Sequence, residues 1–179
     1  MCDCQHDLTY NDFNPTVLFA SKMKMVADGI YHAHKDFTEL TYILSGKGKY
    51  QVEEKVYDVE AGDMIICNPG IRHRNIVINK EEPTVEFFTG FQNYHFKNMP
   101  PESICLKEGG YLLRLTTETK REISKKCYEI LAENEACEMG KYFMLKAHLM
   151  QLLVLIIREI LEEPYSKQKG YHFETYNKS

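Results

Sequence analysis

At 179 residues, with 44% hydrophobic and 27% charged side chains, the chain has ordinary globular usage and enough length for one well-filled core. A formal charge of -4, with no basic run and no arginine-rich helix, excludes a segment that grips a polyanion by itself. Cys2, Cys4, Cys67, Cys105, Cys127 and Cys137 follow no disulfide or C-x-x-C spacing, and no basic-then-apolar leader opens the chain. A reduced, cytoplasmic protein is therefore expected, with Cys2, Cys4 and His6 as a terminal surface set and not a site.

Taken in chain order, the first informative stretch runs from Gly29 to Glu39. His32 and His34 are two residues apart, so an extended strand would point both imidazoles to one face. Lys35 to Thr38 is long enough for a turn, and Glu39 then opens a β-branched and aromatic segment that reads as the adjacent strand. Strands are expected at 39–45, 49–53, 56–60, 64–67, 73–78 and 84–91. Gly46-Lys47-Gly48, Glu53-Glu54-Lys55, Ala61-Gly62-Asp63 and Asn68-Pro69-Gly70 serve as connections, with Asp63 holding the Gly62 turn. His73, arriving after the last of these turns, can return to the cavity faced by His32, His34 and Glu39. Three histidines and a carboxylate suit a divalent transition metal, whether iron, manganese, nickel, copper or zinc, with positions left for water or substrate.

In the strand from Glu39 both alternating sets are apolar or aromatic: Thr41 and Ile43 on the Glu39 face, Leu40, Tyr42 and Leu44 on the other. A strand covered on both faces requires a second layer outside the barrel. Tyr50, Val52, Tyr57, Val59, Phe87 and Phe91 alternate as core, and Tyr50 and Phe87 are taken as aromatics that also line a ligand pocket. The loop 93–101 is read as a lid with His95 exposed.

The rest of the chain reads as helical. Thr119-Lys120-Arg121-Glu122 is a capping-box pattern ahead of an apolar stripe at Ile123, Cys127, Ile130 and Leu131. After Gly140 a second helix is expected to reach Glu163, ended by Pro164. It carries one seam at Leu145, Leu149, Leu152, Ile156 and Ile160, and another at Phe143, Ala147, Met150, Val154, Ile157 and Leu161. The first would pack on the barrel or the first helix, and the second would form a homodimer interface. Lys146, His148, Gln151, Arg158 and Glu159 interrupt the helix too often for a membrane span. The organisation expected is thus 1–116 a barrel with an N-terminal arm, 117–163 a helical dimerisation segment, and 164–179 a polar linker or tail. No nucleophile–base–orienter set, phosphate-cradling loop or internal repeat is present.

The spacing His32-x-His34-x4-Glu39-x6-Gly46, with Gly62, Gly70 and His73, resembles the cupin superfamily. Gly29, Pro69 and Asn75 stand off its pattern by a few places. The resemblance implies a mainly β, double-stranded β-helix (jelly-roll) barrel. Over about 31–158, the barrel continuing through Gly62-Asp63-Met64-Ile65-Ile66-Cys67-Asn68-Pro69-Gly70 and closing with two helices resembles the amino-terminal half of AraC-type transcription regulators. That resemblance implies a small-molecule effector bound by His32, His34, Glu39, His73, Tyr50 and Phe87, a homodimer, and no catalysis. It also implies DNA contact only through helix-turn-helix units, which this sequence lacks. A metal-dependent cupin enzyme, an oxygenase or isomerase, is the alternative on the same residues.

Overall fold

The computed structural model describes Leu8, Thr9 and residues 13–161. Cys2, Cys4, His6, Glu163, Pro164 and the expected tail 164–179 lie outside the described residues. Eight strands precede two helices: β1 (Thr16–Lys24), β2 (Thr38–Ser45), β3 (Lys47–Val52), β4 (Lys55–Glu60), β5 (Asp63–Cys67), β6 (His73–Ile76), β7 (Val85–Gln92), β8 (Leu112–Arg114), α1 (Thr117–Glu135) and α2 (Lys141–Leu161). One sheet has the order β1-β7-β2-β5-β8 and the other β4-β3-β6, with every ladder antiparallel. This is the jelly-roll barrel with two C-terminal helices that the sequence leads one to expect. Two strands were not expected. β8 is too short to carry a pattern, and in β1 a bulge between Val17 and Phe19 breaks the alternation that would announce a strand.

The double-sided β2 explains the layering. Ile43 meets Tyr50, Val52, Val59, Ile65 and Cys67 between the two sheets. Leu40 and Tyr42 lie on the opposite face, in a larger core with Ile123 and Ile130 of α1 and Leu149 and Leu152 of α2. The Tyr42 hydroxyl donates to Lys120 O at 3.0 Å, and Asn134 Nδ2 donates to Ala20 O at 2.9 Å, so α1 is pinned to the sheet at two points. Gly90 permits the close approach of β1: a Cβ there would stand 2.2 Å from the Phe19 ring. Gly46, at φ +84°, makes the reversal from β2 into β3 against Pro83 O, a conformation that suits glycine.

Several expectations are corrected. Phe87 pairs with Tyr42 on the outer face and belongs to the helix-side core, so it does not line the barrel interior. Thr119 is not the helix cap. The N-cap is Thr116, which accepts from Thr119 N, while Glu159 of α2 accepts from Thr116 N and from Thr119 Oγ1, both at 2.6 Å. The loop 93–101 is no lid, because Tyr94 and Phe96 are buried in the helix-side core and Tyr94 Oη meets Thr38 Oγ1 at 2.6 Å. His95 is part-buried beside Met99 O, and His148 lies 3.4 Å from Glu129. On α2 the seam Leu145, Leu149, Leu152, Ile156 and Ile160 is buried as expected, but Ile157 joins it. Ile157 is four residues beyond the buried Leu153, hence only about 40° around the helix from it, on the shoulder of the buried arc. Phe143, Ala147 and Leu161 remain exposed, and Met150 and Val154 are half-buried.

Candidate metal centre

The histidines meet at one end of the barrel. His73 opens β6 on the inner face, and His32, in place of a regular strand, forms an isolated bridge with it (His32 N to His73 O 3.2 Å, His73 N to His32 O 2.8 Å). The segment before His32 is clamped. Tyr31 lies under the guanidinium groups of Arg72 and Arg74, 4.7 and 5.9 Å from its ring centre, and its hydroxyl donates to Glu53 O at 3.2 Å. His34 stacks on Phe37 with ring centres 4.3 Å apart. Glu39, the second residue of β2, reaches the cluster from the facing sheet.

One ring nitrogen from each of His32, His34 and His73 lies within 4.8 Å of the others. Glu39 joins two of them, with Oε1 3.1 Å from His73 Nε2 and Oε2 3.2 Å from His34 Nε2. His32 Nε2 is 3.2 Å from His34 Nε2. The second nitrogens settle the tautomers: His32 Nδ1 meets Ile30 O at 2.7 Å and His73 Nδ1 meets Ile71 O at 3.0 Å. A carbonyl only accepts, so both Nδ1 atoms carry hydrogen and both Nε2 atoms turn into the cluster. Backbone-anchored Nδ1–H with Nε2 turned to the centre is the orientation that second-sphere carbonyls impose on metal-binding histidines.

The protonation states follow from this geometry. Burial pulls the His73 pKa down, but the Glu39 hydrogen bond, the Ile71 carbonyl and the Glu39 charge together outweigh it, and the net shift is upward. Without an ion, His73 Nε2 therefore holds a proton against Glu39 Oε1. For His34, burial together with the charges of His32 and His73 wins over Glu39, and its pKa falls. A neutral His34 then has one Nε2 hydrogen to share between Glu39 and His32. A divalent ion would replace these protons and collect the three imidazoles, with Glu39 alongside. The donor set fits such an ion. Cys67, the ladder partner of Glu39, is no thiolate: burial pushes its pKa well up, and the charges of Glu39 and Glu53 add to the shift.

The remaining expected ligand residues separate. Tyr50 is inside the barrel, its hydroxyl 3.3 Å from Thr41 Oγ1, whereas Phe87 faces the helices. One interior residue was not anticipated. Glu86 of β7 pairs with Ile43, on the same inner face as Glu39, and is only 1% exposed. Its signal in the sequence is an acid set between Val85 and Phe87 in an apolar strand, but the face it takes depends on a register that sequence does not supply.

Residues 23–89 match the family described as Cupin domain, and the barrel has the cupin jelly-roll fold. Among solved structures, the chain is similar to a predicted oxalate decarboxylase from Thermotoga maritima (24% identity, 42% of this chain and 66% of that one, TM-score 0.38). It is also similar to a cupin-2 domain containing protein from Shewanella frigidimarina (20% identity, 44% and 71%, TM-score 0.32). A third is the Cnp3 cupin domain of Schizosaccharomyces pombe (16% identity, 49% and 70%, TM-score 0.36). The chain spans less than two thirds of the Thermotoga maritima protein. No curated protein matches it. Among the described residues, no helix is long and apolar enough to cross a membrane.

Proposed function

We propose that the chain is the small-molecule-sensing and dimerisation module of an AraC-type transcription regulator. An effector binds in the barrel at the histidine end, and the helices carry the response to DNA-reading units. The observation that carries this reading is the helical pair. α1 and α2 cover the outer face of the five-stranded sheet, yet α2 still turns Tyr142 and Phe143, each 81% exposed, towards solvent. Along the same helix, Met150, Val154 and Leu155 line a groove of about 510 Å³ bordered by Lys125 and Lys126 of α1. Apolar side chains kept at the surface of a helix that already has its core contacts are what a second copy would cover.

The second reading is a metal-dependent cupin enzyme. It is favoured by the three imidazole nitrogens gathered within 4.8 Å of one another, since an ion there would supply Lewis-acid character and open positions for substrate. A thermal-shift screen over sugars, aromatic acids and common metabolites, run with and without transition metals, separates the two. The sensor reading expects a hit whose shift is lost in His34→Ala and Glu39→Ala, and which is recovered unchanged after long incubation. Consumption of the hit only when metal is present would decide for the enzyme. Dimerisation has its own test. Val154→Asp should convert a concentration-stable dimer into folded monomers in sedimentation, and a wild-type chain that stays monomeric at high concentration would refute that part of the reading.

A further inference from the structure

The barrel interior holds a polar group that the metal centre does not use. Glu86 Oε1 accepts from Thr84 Oγ1 at 2.5 Å, but Glu86 Oε2 is buried without any hydrogen-bond partner. Among the described residues Tyr57 Oη is the other buried side-chain atom in that condition. A buried carboxyl oxygen without a partner calls for a donor that the protein itself does not provide.

The surroundings define its chemistry. Across the ladders Glu86 faces Met23 of β1 and Ile43 of β2. Asp63 of β5 is committed to Arg114, 3.1 Å away, and to Glu60 N. The charge acting on Glu86 is that of Glu39, of the same sign, and among the described residues no lysine or arginine is buried. Tyr50 and Thr41, sharing one hydrogen bond, add hydroxyls with unused capacity on this inner face.

Resting on the reading of the barrel as a small-molecule site, we propose that Glu86 is a second recognition point whose occupant is the amino end of a small organic cation. An ammonium group brings donors to Oε2 and the missing positive charge together, while a carboxylate or phosphate would be repelled. Burial, reinforced by Glu39 and only partly offset by the Thr84 hydrogen bond, holds the Glu86 carboxyl up at about 7. At pH 6 the free protein therefore carries the proton, and ion-pairing with ammonium expels it to the buffer.

The test uses the full chain with n-butylamine, 1,4-diaminobutane, n-butanol and butyrate as probes, read by thermal shift and by calorimetry at pH 6 in two buffers of different ionisation enthalpy. Amines should raise the melting temperature and release close to one proton per chain, and butanol and butyrate should do neither. Glu86→Gln, isosteric and able to keep the Thr84 hydrogen bond, should lose both effects, and Glu86→Asp should weaken amine binding at least tenfold. Amine binding undiminished in Glu86→Gln, butanol matching the amines, or no amine binding at all would overturn the inference. A metal titration of Glu86→Gln keeps the two readings apart, since the histidine centre should still load when the amine site is gone.

Discussion

In protein dialysed against zinc, manganese, nickel, copper or iron, replacing His73 by alanine should cut the transition metal taken up at the histidine centre from about one ion per chain to a trace. The size of the effect follows from position. His73 is 1% exposed, anchored through Nδ1 to Ile71 O, and is the imidazole that faces Glu39 Oε1 directly. Without it Glu39 keeps only the partly exposed His34, so the metal-free variant should also lose about 3 kcal/mol of stability, the scale of a broken buried pair. His34→Ala should lose the metal with a smaller stability change, because the His34 side chain is 24% exposed. For the wild type, an ion at about a hundred times its dissociation constant should add about 2.7 kcal/mol, a shift of several degrees that His73→Ala does not show.

The pH dependence of this centre has a definite sign. The folded-state pKa of His73 is raised, so in the metal-free protein its pairing with Glu39 contributes fully below the unfolded value near 6.5 and fades as pH rises through the folded one. Metal must displace that proton, so its affinity should weaken as pH falls below the His73 pKa. Elemental analysis of protein purified without chelator, repeated after dialysis against each ion at pH 6 and pH 8, provides the check. Equal metal content in wild type and His73→Ala would remove the centre from the account.

Much of this architecture was legible because it depends on local parity. His32-x-His34, the double-sided strand from Glu39, and the Leu145, Leu149, Leu152, Ile156, Ile160 stripe each state their partner's direction within a few residues. What failed needs information from across the chain. Phe87 and Glu86 are neighbours on β7, and which of them enters the barrel is fixed by pairing with Tyr42 and Ile43, not by either residue's character. An aromatic was therefore taken inward and an acid was overlooked. Ile157 failed for a related reason, since a seam drawn at three-four spacing drifts against the helix and its later members rotate towards the core. The lid reading of 93–101 missed that Tyr94 and Phe96 give that loop a buried side.

Glu86→Gln should stabilise the protein at pH 8 and leave it nearly unchanged at pH 5. In the folded chain the carboxyl is held up at about 7, whereas in the unfolded chain it ionises near its ordinary value of 4.5. Between these values the folded state binds the extra proton, so stability falls as pH rises, and above pH 7 the accumulated cost is about 3 kcal/mol. Glutamine occupies the same volume, can accept from Thr84 Oγ1 through its carbonyl, and carries no charge for burial and Glu39 to oppose. Its amide still lacks a partner where Oε2 lacked one, so the gain at pH 8 should fall short of the full cost, at about 2 kcal/mol. Urea unfolding of both proteins at pH 5, 6, 7 and 8 measures this directly: the wild-type curve should descend more steeply across the window than the variant's, which keeps only the contribution of the His73–Glu39 pair. Parallel curves would mean that Glu86 already has a partner at the pH of the cell, and its carboxyl would then not be the unsatisfied group on which the amine site depends.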